Sequence, residues 1–495
     1  MRAYDFSKRG KISLYEYLYE CLKKDILEGR IAAGEKLPSK REMALLHDIS
    51  VKTVENAYGQ LIAEGYLEAM EKRGYFAAKV SHENYHIHRG EKERNEKSAC
   101  RSETQAEKKC GLERRGRESR KQEAGEGSSA PLPCFADFTS SNTTTCAKFP
   151  LSRWNRVMRE TLSSQDVLLL QTAPFQGVEK LRREIAAYLS RNRGMEVDPE
   201  CILVGAGTEY LYGRLLRLLH KERYAVEDPG YRKIARIYRD SGAECCYIPV
   251  DESGICTEKL RESGAEVVHV SPGYHFPLGT VMPIARRQEL LAWASEAPGR
   301  YIVEDDYDCE FRYSGRPIPS IQSMDRQQRV IYLNTFNKTL SPALRVGYMV
   351  LPEPLMARYE QSMNYYSNTV SSFEQFALAE FMEKGYFERH ISRMRKYYRE
   401  YRERIRLILK ESGLPISKTG GDEAGTRILV ELATTLSDAQ IKQEAAKAGI
   451  KLECLSEFCQ ERKELFAHTL ILNYADMDEA VLKEAIGRLA HIFSK

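Results

Sequence analysis

The chain has 495 residues, 42% of them hydrophobic and 29% charged, with a net charge of +4; this is too long for one ordinary core, and two or three domains are expected. So small a net charge excludes a global basic field, and any nucleic-acid function has to be local. No apolar run nears the ~18 residues of a membrane span, the 12 cysteines include no CxxC pair that would suggest a zinc knuckle or disulfide framework, and the opening MRAYDFSKRG carries no secretory pattern, so a reducing cytoplasm is expected.

The first module is expected over residues 1–79. Leu14, Leu18, Cys21, Leu22 and Ile26 recur at spacings of 3 and 4 and predict an amphipathic helix. A second helix follows "GRIAAGEKLP", with Ser39 as its cap and Glu42 three residues on as a capping box. After the short turn "DIS", Ser50 caps a third helix whose Val54, Ala57, Tyr58, Leu61 and Ile62 form one stripe. "YLEAMEKRGYFAAK" reads as two short strands around a Lys72-Arg73-Gly74 tip. Helix, helix–short turn–helix and basic hairpin together describe a winged helix-turn-helix. Lys52, Thr53 and Asn56 point away from the stripe, where a helix N-terminus in the major groove of double-stranded operator DNA would use them. Lys40, Arg41, Lys72 and Arg73 suit phosphates. A three-helix protein-interaction module is the competing interpretation.

Residues 80–130 are expected to be a charged linker. Between Gly90 and Gly127 the only large apolar residue is Leu112, and 11 Lys/Arg stand against 9 Asp/Glu. Such a stretch buries too little to offset the entropy of ordering it. An isolated charged helix is the alternative.

From residue 131 to 495 short apolar runs alternate with helical ones. "CILVGAGTEYL", "RYAVEDPGY", "AEVVHVSPGYHFPLG", "RYIVEDDYD" and "RVIYLNTFNK" each end in Gly, Pro, Asp or Lys, and "ARRQELLAWASEA" between them is helical in period. That is an α/β domain with a largely parallel sheet, in which ligands bind beyond the carboxyl ends of the strands. The chemistry at those ends matches the needs of pyridoxal 5'-phosphate. Lys338 can hold an aldehyde covalently. Asp305 can keep a pyridine nitrogen protonated, and Tyr307 can bond the ring oxygen. Arg345, Thr335 and the turn Gly205 to Thr208, with Ala206, Gly207 and Thr208, can cradle a phosphate. Tyr231 can stack on the ring.

Two resemblances cover nearly the whole chain. "LPSKREMA", "SVKTVENAY" and "LIAEGYL" resemble the GntR family of bacterial regulators, with Val51-Lys52 where that family usually has an arginine after the serine. "FPLSRW", "VEDPGY", "EDDYDCEFRY" and "TFNKTLSPALRVGYMV" resemble the fold-type I PLP-dependent aminotransferase-like domain of the MocR/PdxR type. The resemblance implies a multidomain chain, a homodimer, Lys338 as the cofactor lysine, Asp305 and Tyr307 as the ring partners, and Arg345 with Thr335 at the phosphate. Three departures stand out. "GYH", Gly273-Tyr274-His275, replaces the usual SHQ, so a contact made by Gln or Asn falls to His275. Ala206 stands where Gly is usual. Ile471 stands where working aminotransferases carry an arginine for the substrate carboxylate, leaving Arg427, Arg232 or Lys233 to substitute. The expected function is a transcription regulator that senses PLP or a small amine or amino-acid effector; the alternative is an active aminotransferase with an appended DNA-binding module.

Overall fold

The computed structural model describes residues 4–9, 12–70, 73–80, 134–139, 148–164, 167–313, 318–421, 424–475 and 477–493. Residues 81–133, on which the expected linker falls, and Lys72 lie outside the described residues. Among the described residues no helix is long and apolar enough to cross a membrane.

The N-terminal module has the expected order. Helices Leu14–Leu27, Lys40–Leu46 and Val51–Ala63 pack around Leu18, Leu22, Ile26, Val54, Ala57, Tyr58 and Leu61, all buried. Ile62, expected in the stripe, is half-buried at its edge. Ser39 and Glu42 form a reciprocal capping box, and the Ser50 side chain accepts from the Thr53 amide at 3.0 Å. Caps of this kind contribute about 1 kcal/mol each. Strands Leu67–Met70 and Gly74–Ala77 pair antiparallel as the wing, and Lys36–Leu37 adds a third strand.

All five apolar runs of the larger module become strands of one eight-stranded sheet. Its order is Ile202–Gly205, Gly347–Val350, Val330–Thr335, Tyr301–Asp305, Val267–Val270, Arg223–Asp228, Glu244–Asp251 and Gly254–Ile255. The five strands from Val330–Thr335 to Glu244–Asp251 run parallel, whereas Gly347–Val350 is antiparallel to both neighbours. A tight return from Lys338 through Leu344 accounts for that reversal: it leaves no room for a crossover helix. The 26-residue helix Tyr386–Glu411 leads into a second, antiparallel sheet of Ile416–Gly420, Arg427–Leu432, Thr469–Asn473 and Glu453–Cys454.

The two modules touch. Ile284 and Ile318 of the larger module are buried in the same apolar cluster as Leu18, Tyr58 and Leu61. The Ile284 amide donates to the Glu64 carbonyl at 3.2 Å. Gly65, with φ +78°, lies so close to Pro283 that a Cβ there would meet the proline Cβ at 2.8 Å, so only glycine fits this turn without a shift.

Candidate functional site

A cavity of about 440 Å³ opens between the carboxyl end of the large sheet and the C-terminal sheet. Lys338, Asp305, Tyr307, Tyr231, Thr208, Thr335 and Arg345 all line it, although they come from four different strand ends and loops. The fit to an aldehyde cofactor can be tested on the polar atoms. Asp305 Oδ2 accepts from the Tyr212 hydroxyl and lies 3.5 Å from His269 Nε2, whereas Oδ1 has no hydrogen-bond partner among the described residues. One carboxylate oxygen is therefore anchored and the other is left for a ring N–H. The Tyr307 hydroxyl is likewise without a hydrogen-bond partner among the described residues. Arg345 lies against Gly207, where a Cβ would come within 2.8 Å of Nη2. The helix Thr208–Leu219 starts at this point, and its first-turn amides are directed at the same spot. These groups fit pyridoxal phosphate.

Two amides of the turn Gly205 to Thr208 have partners within the protein. The Ala206 amide donates to Thr369 Oγ1 at 3.2 Å and the Gly207 amide to the Gly205 carbonyl at 2.7 Å. Neither residue is among those lining the cavity, whereas Thr208 is. His275 is also not among the lining residues. It is buried 3.6 Å from Glu227 Oε2, and burial lowers its pKa to about 4, which keeps the ring neutral near pH 7. Ser271, His269 and Phe276 line the wall on that side.

Several groups escaped the sequence reading. Tyr212 follows Thr208 by four residues and so shares its helix face, a spacing that could have flagged it. His269 interrupts an apolar run, "VVHV", and its Nδ1 lies 2.6 Å from the Tyr238 hydroxyl. Asp308 is buried with neither oxygen hydrogen-bonded among the described residues.

Burial lowers the Lys338 amine to about 8, with Arg427 pushing the same way and Asp308 and Asp305 opposing. At pH 7.5 roughly a quarter of such an amine is neutral, against about one in a thousand for an ordinary lysine. Covalent capture of an aldehyde needs the neutral amine. The rate of attachment of added PLP to cofactor-free protein should therefore rise with pH up to about 8 and level off above it. Stopped-flow absorbance at a series of pH values checks this; a rate still climbing tenfold per unit at pH 9 would show an unperturbed lysine.

On the N-terminal module Arg41 and Asn56 are exposed, and Thr53 shares a 2.8 Å hydrogen bond with Ser50. Arg73 packs over Phe76 at 5.8 Å. Lys40 and Lys52 are both held by Glu55, at 3.1 and 2.9 Å. Both cations thus share an acid on the face proposed for DNA. Glu55→Gln should release them and remove one repulsive charge. Binding should tighten several-fold on specific and random duplexes alike, with a steeper salt dependence; fluorescence anisotropy at two salt concentrations measures it.

Known proteins share this pair of domains. Residues 14–76 match the bacterial regulatory proteins of the gntR family, and residues 137–489 match aminotransferase class I and II. The uncharacterized HTH-type transcriptional regulator YdeL of Bacillus subtilis is 36% identical over 97% of this chain and 96% of its own length. The probable rhizopine catabolism regulatory protein MocR of Rhizobium meliloti is 30% identical over 97% and 94%. Among solved structures, Pyrococcus horikoshii kynurenine aminotransferase superposes with a TM-score of 0.63 at 26% identity, covering 72% of this chain and 90% of that one. With a helix-turn-helix at one end, an aminotransferase fold at the other and full-length likeness to such fusions, the chain belongs to the MocR-type transcriptional regulators, in which a GntR-family DNA-binding domain is joined to an aminotransferase class I and II domain.

Proposed function

We propose that this regulator binds pyridoxal phosphate in the cavity, covalently at Lys338, and that PLP together with an amine or amino-acid effector alters its affinity for operator DNA. Bound PLP supplies an electrophilic aldehyde on an electron-withdrawing ring. Asp305, anchored by Tyr212 and 3.5 Å from His269, would keep the ring nitrogen protonated. Arg345, Thr208 and the helix behind it take the phosphate, and Tyr231 covers the ring from the half-exposed mouth. Lys40, Arg41, Lys72 and Arg73 serve as phosphate contacts, with Lys52, Thr53 and Asn56 reading base edges. Residues 80–130 tether the two modules, and two copies of the chain present two such DNA-binding modules to two half-sites.

One observation carries the regulatory part of this reading: the DNA-binding module is seated against Ile284 and Ile318 of the larger module. Ile284, in the seam, begins the helix Ile284–Ser295. One turn on, the fully buried Arg287 donates to the carbonyls of Pro272, Met282 and Pro319 and lies 3.9 Å from Glu304. Glu304 accepts the Ile321 and Gln322 amides, both at 2.9 Å, and is the immediate neighbour of Asp305. A shift of the cavity wall thus has a short, rigid route to the seam.

An enzyme reading needs a pose that aligns one Cα–H bond for cleavage, and with Ile471 at the usual carboxylate position any clamp has to come from a different strand. The test pairs two assays on one preparation. PLP and amines should shift both the visible spectrum and DNA affinity, while transamination with common amino acids and a keto acid stays very slow. Rapid multiple turnover with DNA affinity indifferent to every ligand would instead establish the enzyme.

A further inference from the structure

The strand pairing relocates an arginine. Thr469–Asn473 and Arg427–Leu432 are antiparallel neighbours, with Leu429 opposite Ile471 and Arg427 opposite Asn473. Residues directly opposite share a face, so Arg427, Leu429, Ile471 and Asn473 all face one way. Three of them, Arg427, Ile471 and Asn473, line the cavity. The position that lost its arginine therefore has one on the adjacent strand, one diagonal step away.

Arg427 is 7% exposed, and its Nη1 has no hydrogen-bond partner among the described residues. A buried guanidinium nitrogen in that state is costly unless something fills the place. Tyr307, Tyr274 and, after them, Asp308 attract it, but neither Asp308 oxygen accepts a hydrogen bond from a described residue. The guanidinium lies 4.8 Å from the Phe276 ring centroid. Phe276 in turn meets Phe458 edge-on at 4.9 Å and Tyr231 at 5.7 Å. Phe276, Phe458, Tyr231 and Ile471 form an apolar corner of the cavity beside the arginine. Glu453 pairs in register with Ile471 on its other side and also lines the cavity, where it disfavours a second carboxylate.

We infer that the effector is an amino acid with an apolar or aromatic side chain, its carboxylate bound by Arg427 and its side chain packed in the corner formed by Phe276, Phe458 and Ile471. The inference rests on the reading that Lys338 and Asp305 hold PLP in this cavity, which places the amino group of the ligand toward Lys338. Ile471 then serves the ligand's apolar body instead of its carboxylate.

The test uses the full chain loaded with PLP and four probes: phenylalanine, phenethylamine, aspartate and 3-phenylpropionate. Difference spectra follow the amines, and calorimetry follows 3-phenylpropionate, which has no amine to react. Charge-assisted hydrogen bonds of about 1.5–3 kcal/mol correspond to roughly 10–150-fold in affinity. Phenylalanine should bind at least tenfold more tightly than phenethylamine and than aspartate. Arg427→Gln should remove the advantage over phenethylamine and abolish 3-phenylpropionate binding, while the cofactor stays attached. Arg427→Lys should recover only part, since it keeps charge without the fork. Equal affinity of the unaltered protein for phenylalanine and phenethylamine overturns the inference, and this comparison needs no variant. So does loss of the cofactor on Arg427→Gln in folded protein, which would put the arginine in the PLP cradle. If borohydride fixes no pyridoxyl group on Lys338 in the unaltered protein, the cofactor reading itself fails, a result distinct from either.

Discussion

Lys338→Ala is expected to abolish every borohydride-stable attachment of PLP to the protein while leaving the fold in place. The effect on the covalent link is all or none, because no other lysine lining the cavity combines the same surroundings. Lys233, which also lines it, is taken up by Glu209 in a surface pair. The structural cost should be small. The Lys338 amine already has its pKa lowered to about 8 by burial, so its charged form is disfavoured where it sits, and truncation extends an existing cavity without opening one in packed core. The phosphate and ring contacts proposed for Arg345, Thr208 and Asp305 are untouched, so the variant should still bind PLP reversibly. Mass spectrometry after borohydride reduction reads the attachment, and a thermal melt reads the fold. A pyridoxyl group found on another lysine would displace Lys338 from the site. Equal DNA affinity of Lys338→Ala with and without amines, beside a clear response in the unaltered protein, would tie the response to the covalent link.

The sequence made some of this legible for local reasons. Caps, turns and the apolar stripe of the N-terminal module depend on residues within four positions of each other, and Ser39, Glu42 and Ser50 behave as their spacing implies. The cavity residues at strand ends were legible because a parallel sheet brings strand ends together whatever the strand order. What stayed hidden depends on register or on distant packing. Whether Arg427 faces the cavity follows from its pairing with Asn473, and a one-residue slip would turn it outward. His275 occupies the motif position of a ligand-contacting side chain, yet it is buried beside Glu227, while Ser271 and His269 line the wall. The pairing of Glu55 with Lys40 spans fifteen residues, and no local spacing signals it. The seam between modules was invisible because "PIARRQELLAWASEA" has one amphipathic pattern, but its apolar residues serve two different cores.

That division makes the seam separable from the domain it belongs to. Leu290, Trp293 and Ala294 of the helix Ile284–Ser295 pack into the cluster beneath the large sheet, whereas Ile284, at its first turn, packs with the DNA-binding module. Ile284→Glu places a carboxylate at a position with 0% exposure. An unpaired buried charge costs several kcal/mol, and the least costly escape is for the module to leave the seam while the helix stays anchored by Trp293. Cofactor attachment should therefore survive, and the DNA-binding module should keep its own core. Coupling between the two should not. Where PLP and amines shift DNA affinity by the 5–150-fold typical of coupled sites, the variant should respond less than about twofold, and Ile284→Val should respond normally. A ligand moves an equilibrium only as far as it prefers one state over the other, and an undocked module offers the cavity no second state to prefer. Anisotropy titrations of operator DNA with and without ligand, on both variants, decide the matter: a full response in Ile284→Glu would mean that the signal reaches the DNA by a route other than this seam.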